Sequence, residues 1–439
     1  MEVLDLKAMA AQAVAFHQRG ELEQAETLYR RILDADPRLY GPRFYLGLLR
    51  LQQGRPQEAC DYLGEALQIS PDELPAWMNY GMALRAAERP EEALAAFDRA
   101  LAIQPNMAEG LYNRGVALGD LNRFELAVES YDRALLLQPE MVAAQVNRAA
   151  TLAAMQRFDD AIAGYDRTLV LQPSNVPALV HRGLALRAMQ RPQAALADFD
   201  RALALNPQHV EAQYHRGVVM MDLERATEAL ACFDAVMGAY HANAEMLNNR
   251  GVALWNLKRP AEALESYERA LALEPDFAQA WGNRGLALRD LMRFDEALAS
   301  FDRVLRLEPT NTVALNSRGN ILRDKKNYNG AIESYSRAIQ IRPDYAESLI
   351  NRGYTWWTLK NFEAGIADVE RGLALDPDYA FGRGELLHIR MYTADWHDFE
   401  QRKAELESLV RAGKQVVQPF IFQAISESPA DLQACSRIW

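Results

Sequence analysis

The chain has 439 residues and a mass of 49.4 kDa, and 48 Lys and Arg against 60 Asp and Glu give it a net charge of −12. That sign argues against nucleic acid as the main partner, because phosphate binding needs a cationic face that can release counterions. An apolar content of 49% supports a packed core, and no uncharged apolar run approaches the roughly 20 residues that cross a bilayer. The first residues include Glu2, Asp5, Lys7, His17 and Arg19 and do not read as a signal peptide. Cys60, Cys232 and Cys435 are odd in number and far apart, for which a reducing, cytoplasmic setting is the simplest reading.

Along the chain, Pro37, Pro71, Pro105, Pro139, Pro173 and Pro207 follow one another at steps of 34, and Pro275, Pro309, Pro343 and Pro377 continue the series. The skipped slot holds His241. Gly47, Gly81, Gly115, Ala149, Gly183 and onward to Gly353 keep the same step, as do Ala25, Ala59, Ala93 and onward to Ala331. Three series in one phase mean a repeat architecture. The period and the small-residue pattern resemble the tetratricopeptide repeat (TPR) family. The expected fold is all-α: a superhelical solenoid of about eleven helix-turn-helix units of 34 residues over 6–379, then a helical pair over 380–412 that closes the array. By the resemblance, first helices line a concave groove.

Each unit reads as two helices. In the ninth, Ala278–Asn311, the first carries Trp281, Leu286 and Leu288 and ends near Asp290 to Arg293. The second starts at Phe294 and carries Ala297, Leu298, Phe301, Val304, Leu305 and Leu307 at three- and four-residue spacing. Pro309 follows its end. Gly285 and Ala297 lie where the paired helices should cross, and Phe301 with its equivalents should act as wedges towards the next unit. Pro56, Pro90, Pro192 and Pro260 open second helices, in the first turn where a missing amide donor is harmless. The seventh unit, Val210–Asn243, loses the usual Arg-Ala-Leu and proline over Ala235–His241. This reads as a frayed helix end or, alternatively, as a hinge between two sub-arrays.

Two positions before each glycine stands a polar series: Asn79, Asn113, Asn147, His181, His215, Asn249, Asn283, Ser317 and Asn351. Residues four before and seven after share its helix face; they include Glu109, Glu211 and Glu245, and Asp120, Asp222, Asp290 and Asp324. The expected groove is floored by amides and imidazoles and edged by carboxylates. An Asn amide both donates and accepts, which matches the C=O and N–H of an extended peptide. Adjacent first helices about 10 Å apart match about three extended residues, so the series could grip a peptide backbone; the bland alternative is that it solvates an inner surface. Arg114, Arg148, Arg182, Arg216, Arg250, Arg284, Arg318 and Arg352 follow the series, turned about 100° away. They are expected to pair with carboxylates such as Asp98, Asp132, Asp166, Asp200 and Asp302 as a structural lattice rather than to form a basic stripe for phosphates. His181 and His215 lie a whole unit apart, too far to share one metal, and no catalytic or phosphate-loop motif stands out.

After Pro377 the repeat fades. Asp378 to Thr393 imitates a first helix with Leu387 in place of the glycine; a second helix should run to Arg411, with Gly413 as its stop. Asp395, Trp396, Asp398 and Phe399, then Pro419, Phe420, Ser426 and Pro429, resemble the junction of bacterial O-GlcNAc transferase and SPINDLY-type glycosyltransferases. The resemblance implies a parent enzyme that moves N-acetylglucosamine from UDP-GlcNAc to Ser or Thr hydroxyls, with a TPR groove that holds protein substrates. Catalytic lobes would begin where the sequence stops, at Trp439, so 413–439 reads as the start of a linker. No catalytic residue and no cofactor are assigned to this chain; UDP-GlcNAc is implied for the absent lobes alone. Val416, Val417, Phe420, Ile421, Phe422, Ile425, Ile438 and Trp439 form an apolar set suited to packing on something further, the other reading being a tail folded back as a cap. The expected partners are extended segments of proteins, neither nucleic acid nor membrane, with homodimerisation through the convex face as a second assembly. The expected function is a substrate-recruiting arm; a free-standing scaffold is the alternative.

Overall fold

The computed structural model describes residues 3–239 and 243–439, in which every regular element is a helix. The chain forms two compact units, Met1–Leu223 and Glu224–Trp439. Helix starts keep the 34-residue step: first helices open at Tyr40, Leu74, Ala108, Val142, Val176 and Val210 in the first unit, and at Ala244, Ala278, Thr312 and Ala346 in the second. Second helices open at Leu22, Pro56, Pro90, Phe124, Phe158 and Pro192, then at Ala226, Pro260, Phe294, Tyr328 and Phe362. The division falls inside the seventh repeat, between Val210–Asp222 and Ala226–Ala239. The latter helix runs through Ala235, Val236, Met237 and Gly238; Tyr240 and His241 lie outside the described residues.

Within a repeat the turn is made by one left-handed residue. Glu88, Asn122, Gln156, Gln190, Glu224, Lys258, Met292, Lys326 and Lys360 all have φ between 55° and 62°, where Gly20 and Gly54 serve the first two repeats. In repeat after repeat the amide following the turn residue bonds back into the first helix, as Arg89 N–H does to the Leu84 carbonyl at 2.9 Å and Arg293 N–H to that of Leu288 at 2.8 Å. In most repeats the hairpin closes because glycine on the first helix faces an aromatic ring on the second, with Leu63 and Val369 in the ring's place opposite Gly47 and Gly353. A methyl group on Gly285 would stand 2.7 Å from the Phe301 ring, and one on Gly319 2.5 Å from Tyr335. The ring therefore fills its own hairpin. It also reaches the next repeat, as Tyr165 lies 6.1 Å from the His181 ring.

The segment 413–439, expected as the start of a linker, is partly helical and folds back on the tail. After helices Gly382–Tyr392 and Phe399–Arg411 come Pro419–Gln423 and Pro429–Ile438. Val416, Val417, Ile421, Phe422 and Ile425 are buried against Leu387, Leu406, Val410 and Cys435, with Ile438 partly buried beside them. The apolar set is thus mostly consumed by the tail's own core, while Phe420 (79%) and Trp439 (65%) remain exposed. The return is pinned by backbone bonds from Phe381 N–H to the Gln415 carbonyl (2.7 Å) and from Gly384 N–H to that of Val416 (2.8 Å).

Candidate functional site

In each unit, successive first helices touch across the repeat boundary, as Leu74–Ala86 does Ala108–Asp120, and Ala244–Asn256 does Ala278–Asp290. Among the described residues, successive second helices make no comparable contact. First helices are therefore the more closely spaced, and each array curves with them on its inner side.

The polar series lies along the seams between first helices, but it is not a uniform comb of free amides. Asn79 Nδ2 donates to the Pro75 carbonyl of its own helix at 2.7 Å. Asn147 Nδ2 reaches Tyr112 Oη of the preceding repeat at 3.1 Å, and Asn283 Nδ2 reaches Asn248 Oδ1 at 2.9 Å. Each of these three is half-buried and keeps its carbonyl and its second amide hydrogen. Asn249 is half-buried beside Asn248, with Nδ2 of Asn248 3.5 Å from Asn249 Oδ1. Asn351 is different. It is 6% exposed, donates to Asn316 Oδ1 (3.2 Å) and accepts from Arg323 (3.2 Å), while Ser348 Oγ also donates to Asn316 Oδ1. It is sealed between helices and is no part of an open groove, contrary to the expectation from its position in the series.

Asn113 has no side-chain partner among the described residues and lies in a cleft of about 590 Å³. Phe97 is the buried floor of this cleft, and Met82, Arg85 and Asp120 stand at its side. In the second unit, Asn283 and Ser317 line a cleft of about 280 Å³ over Phe301, with exposed Val313 at its side. His181 packs its ring against Tyr165, its Nδ1 is buried without an acceptor or donor, and burial holds its pKa below the ordinary 6.5, partly opposed by Glu211. His215 lies 6.1 Å from the Phe199 ring and 5.0 Å from Tyr214.

The carboxylate rim is partly spent on cross-repeat bonds. Asp120 accepts from Arg85 (2.6 Å), Asp222 from Arg187 (2.5 Å) and Asp290 from the Trp255 indole (2.7 Å). Glu109, Glu211, Glu245 and Asp324 stand exposed. The donors Arg85, Arg187 and Trp255 were missed in the sequence; the signal that would have found them is an offset of one repeat plus one residue.

The arginine series forms the structural lattice expected of it. Arg114 donates to Asp98 on the preceding second helix (2.7 Å) and to Ser130 Oγ on its own (2.7 Å). Arg148, Arg216 and Arg318 reach Asp132, Asp200 and Asp302 in the same way. Arg182 bridges Asp166 and the buried Asp198, Arg250 pairs with Asp234 and Ser266, and Arg284 with Glu268 and Ser300.

Comparison with known families agrees with this geometry. Profiles described as tetratricopeptide or TPR repeats match residues 8–39, 50–114, 108–141, 181–244, 221–276, 248–312, 319–360 and 346–379. The chain is a tetratricopeptide-repeat protein. No curated protein matches it. Solved structures with a similar arrangement of helices include YrrB, described as a TPR protein with an unusual peptide-binding site (26% identity, 42% of this chain and 95% of that one, TM-score 0.38). Others are a tetratricopeptide repeat protein from Parabacteroides merdae (17%, 57% and 98%, TM-score 0.47) and a chain of the APC/C hetero-tetramer Cut9–Hcn1 (13%, 87% and 96%, TM-score 0.45). Among the described residues no helix is long and apolar enough to cross a membrane.

Proposed function

We propose that this TPR chain is a protein-interaction scaffold whose first-helix surface holds extended segments of partner proteins. The observation that carries the proposal is the cleft at Asn113, where an amide without a side-chain partner sits beside an aromatic floor. An extended segment alternates its side chains at a two-residue period. It can set an apolar side chain over Phe97 while its backbone pairs with the Asn113 amide. In the second unit the cleft over Phe301 holds Ser317 at the position equivalent to Asn113, with Asn283, whose Nδ2 is bonded to Asn248, beside it. Peptides captured from a partner pool and crosslinked to the array provide the test. Asn113→Ala and Asn283→Ala should weaken their binding several-fold without loss of helical circular dichroism, whereas Asn351→Ala should lower stability instead. Unchanged affinity in the first two variants would remove the clefts from the mechanism.

We further infer that the scaffold serves as the arm that presents protein substrates to an O-GlcNAc transferase-like glycosyltransferase domain absent from this chain. The support is the run of residues from Asp395 to Pro429 that resembles that junction. In the structure these residues build the tail: Asp395 pairs with Arg390, the Trp396 ring lies 5.2 Å from Phe399, and Ser426 Oγ donates to Glu407 (3.1 Å). Pro419 and Pro429 open its last two helices. UDP-GlcNAc would belong to the absent domain. A free-standing scaffold is the alternative, and the coding sequence beyond Trp439 separates them: two α/β lobes support the arm, unrelated sequence the scaffold. The three free cysteines are all buried, which fits a reducing cytoplasmic setting. Dimerisation through the outer face belongs to the same proposal, with sedimentation velocity as its check.

A further inference from the structure

Between the second helix of the eleventh repeat (Phe362–Leu375) and the tail helices Gly382–Tyr392 and Phe399–Arg411 lies a cavity of about 280 Å³. Its origin can be followed residue by residue. In the eleventh repeat, Asn351-Arg352-Gly353 closes the hairpin, and Arg352 donates twice to Asp368 (2.7 and 2.8 Å) and once to Ser336 on the preceding second helix (3.0 Å). One period later the three positions hold Glu385-Leu386-Leu387, and the place of Asp368 is taken by Arg402. Leu386 cannot bridge two helices as arginine does. Leu387, bulky where every neighbouring hairpin from the sixth repeat onward has glycine, keeps the second tail helix from seating, and the two tail helices touch along far less of their length than a repeat hairpin does. The space that arginine fills in the repeats is left between Leu373, Leu386, Leu387 and Leu406.

The charges at its wall do not balance. Glu370 is paired with Arg390, which also holds Asp395, and Glu405 is paired with Arg383. Arg402 has no carboxylate partner among the described residues, and its Nε is buried without an acceptor. A guanidinium with a desolvated Nε–H is best satisfied by a carboxylate that accepts two parallel hydrogen bonds. We propose that this cavity binds a small monocarboxylate with an apolar body, the carboxylate on Arg402 and the hydrocarbon against Leu373, Leu386 and Leu406. Its volume lies just below the range of about 300–1,000 Å³ typical of larger ligand pockets, which suits a ligand the size of one amino-acid side chain.

Calorimetric titration of the full chain with 4-methylpentanoate tests this. The acid should bind saturably, and both 4-methylpentanamide and acetate should bind about tenfold more weakly or worse, the first for want of charge and the second for want of apolar body. Arg402→Met should weaken the acid by at least about tenfold with helical circular dichroism unchanged, and Arg402→Lys should restore part of the loss. Asn113→Ala should leave the acid's affinity unchanged, which separates this site from the inner clefts. Absence of saturable binding, equal binding of acid and amide, or an unaffected Arg402→Met would overturn the proposal. So would binding of a peptide with a free C-terminal leucine but not of the free acid.

Discussion

The repeats and the tail use the same layout of paired helices and differ in what stands between them. In the tenth repeat, Ser317-Arg318-Gly319 lets Tyr335 lie on the first helix while Arg318 ties together Asp302 and Ser334. In the tail, Glu385-Leu386-Leu387 offers neither the gap nor the tie, and the chain doubles back with Val416 to Ile425 to bury what the hairpin leaves uncovered. Shape and charge are therefore coupled in this fold. The glycine sets how near the second helix comes, and that nearness is what brings arginine within reach of two helices. Losing both together yields a cavity beside a hairpin that touches along less of its length.

The comparison breaks most severely at Arg182. Its partner Asp198 is 3% exposed, so Arg182→Met leaves a buried carboxylate with only Arg201, 3.9 Å away, and should cost about 3 kcal/mol. Arg402→Met removes a guanidinium that has no such partner and should change stability by less than about 0.5 kcal/mol. Arrays of this kind need not unfold in one step, so amide hydrogen exchange in Val176–Ala188 and Phe399–Arg411 is the appropriate measurement. Equal effects at the two sites would mean that the lattice does not hold the repeats closed. Gly319→Ala should come next, at about 1–3 kcal/mol, because the added methyl meets the Tyr335 ring at 2.5 Å. Its exchange signature should be confined to the helices around Tyr335, and a uniform loss across the unit would contradict the local role given to the glycine.

What could be read from the sequence follows from the same coupling. The hairpins were legible because Gly285 and Ala297 recur in phase, and packing that repeats in space must repeat in sequence. The lattice was legible for a similar reason, since an arginine and a carboxylate 16 residues before it recur in each repeat from Arg114 to Arg318. The fate of Asn351 was not. It depends on Asn316, Ser348 and Arg323, and of these the neighbouring repeats supply no consistent counterpart. Which of the two readings of the apolar tail holds was not legible, because an apolar run with no internal copy gives no hint whether its partner lies within the chain. The shared core of Val416 to Ile425 with Leu387 and the backbone bonds at Phe381 and Gly384 show the return.

The turns between helices sharpen the comparison in the stabilising direction. Met292 is 70% exposed and holds φ at 60°, in the left-handed region where Gly54 serves the second repeat. An L-residue there carries a penalty of roughly 1–2 kcal/mol that glycine avoids, offset in part by glycine's greater loss of backbone freedom. Met292→Gly should therefore raise stability by about 0.5–1 kcal/mol, seen as slower exchange across Ala278–Asp290 and Phe294–Leu307. A loss of stability would show that the Met292 side chain contributes more than its exposure suggests.

The smallest effect concerns pH and the single seam where histidine replaces asparagine beside a tyrosine wedge. Burial against Tyr165 holds the folded-state pKa of His181 below 6.5; His209 adds to the shift and Glu211 opposes it. As pH falls from neutrality the unfolded chain takes up the proton first, so the unfolded state binds more protons and stability must fall. The decline begins near the unfolded value and ends once pH passes below the depressed folded value, beneath which both states are protonated. His181→Asn, which installs the residue found at Asn147, removes the titrating group and should flatten the dependence of Tm on pH between about 7 and 5. Glu26, whose carboxyl is held below its usual range by Arg50, loses its contribution at lower pH and should remain as a separate acid limb in both proteins. Parallel curves for the two proteins above that limb would assign the slope to other groups and leave His181 as packing alone.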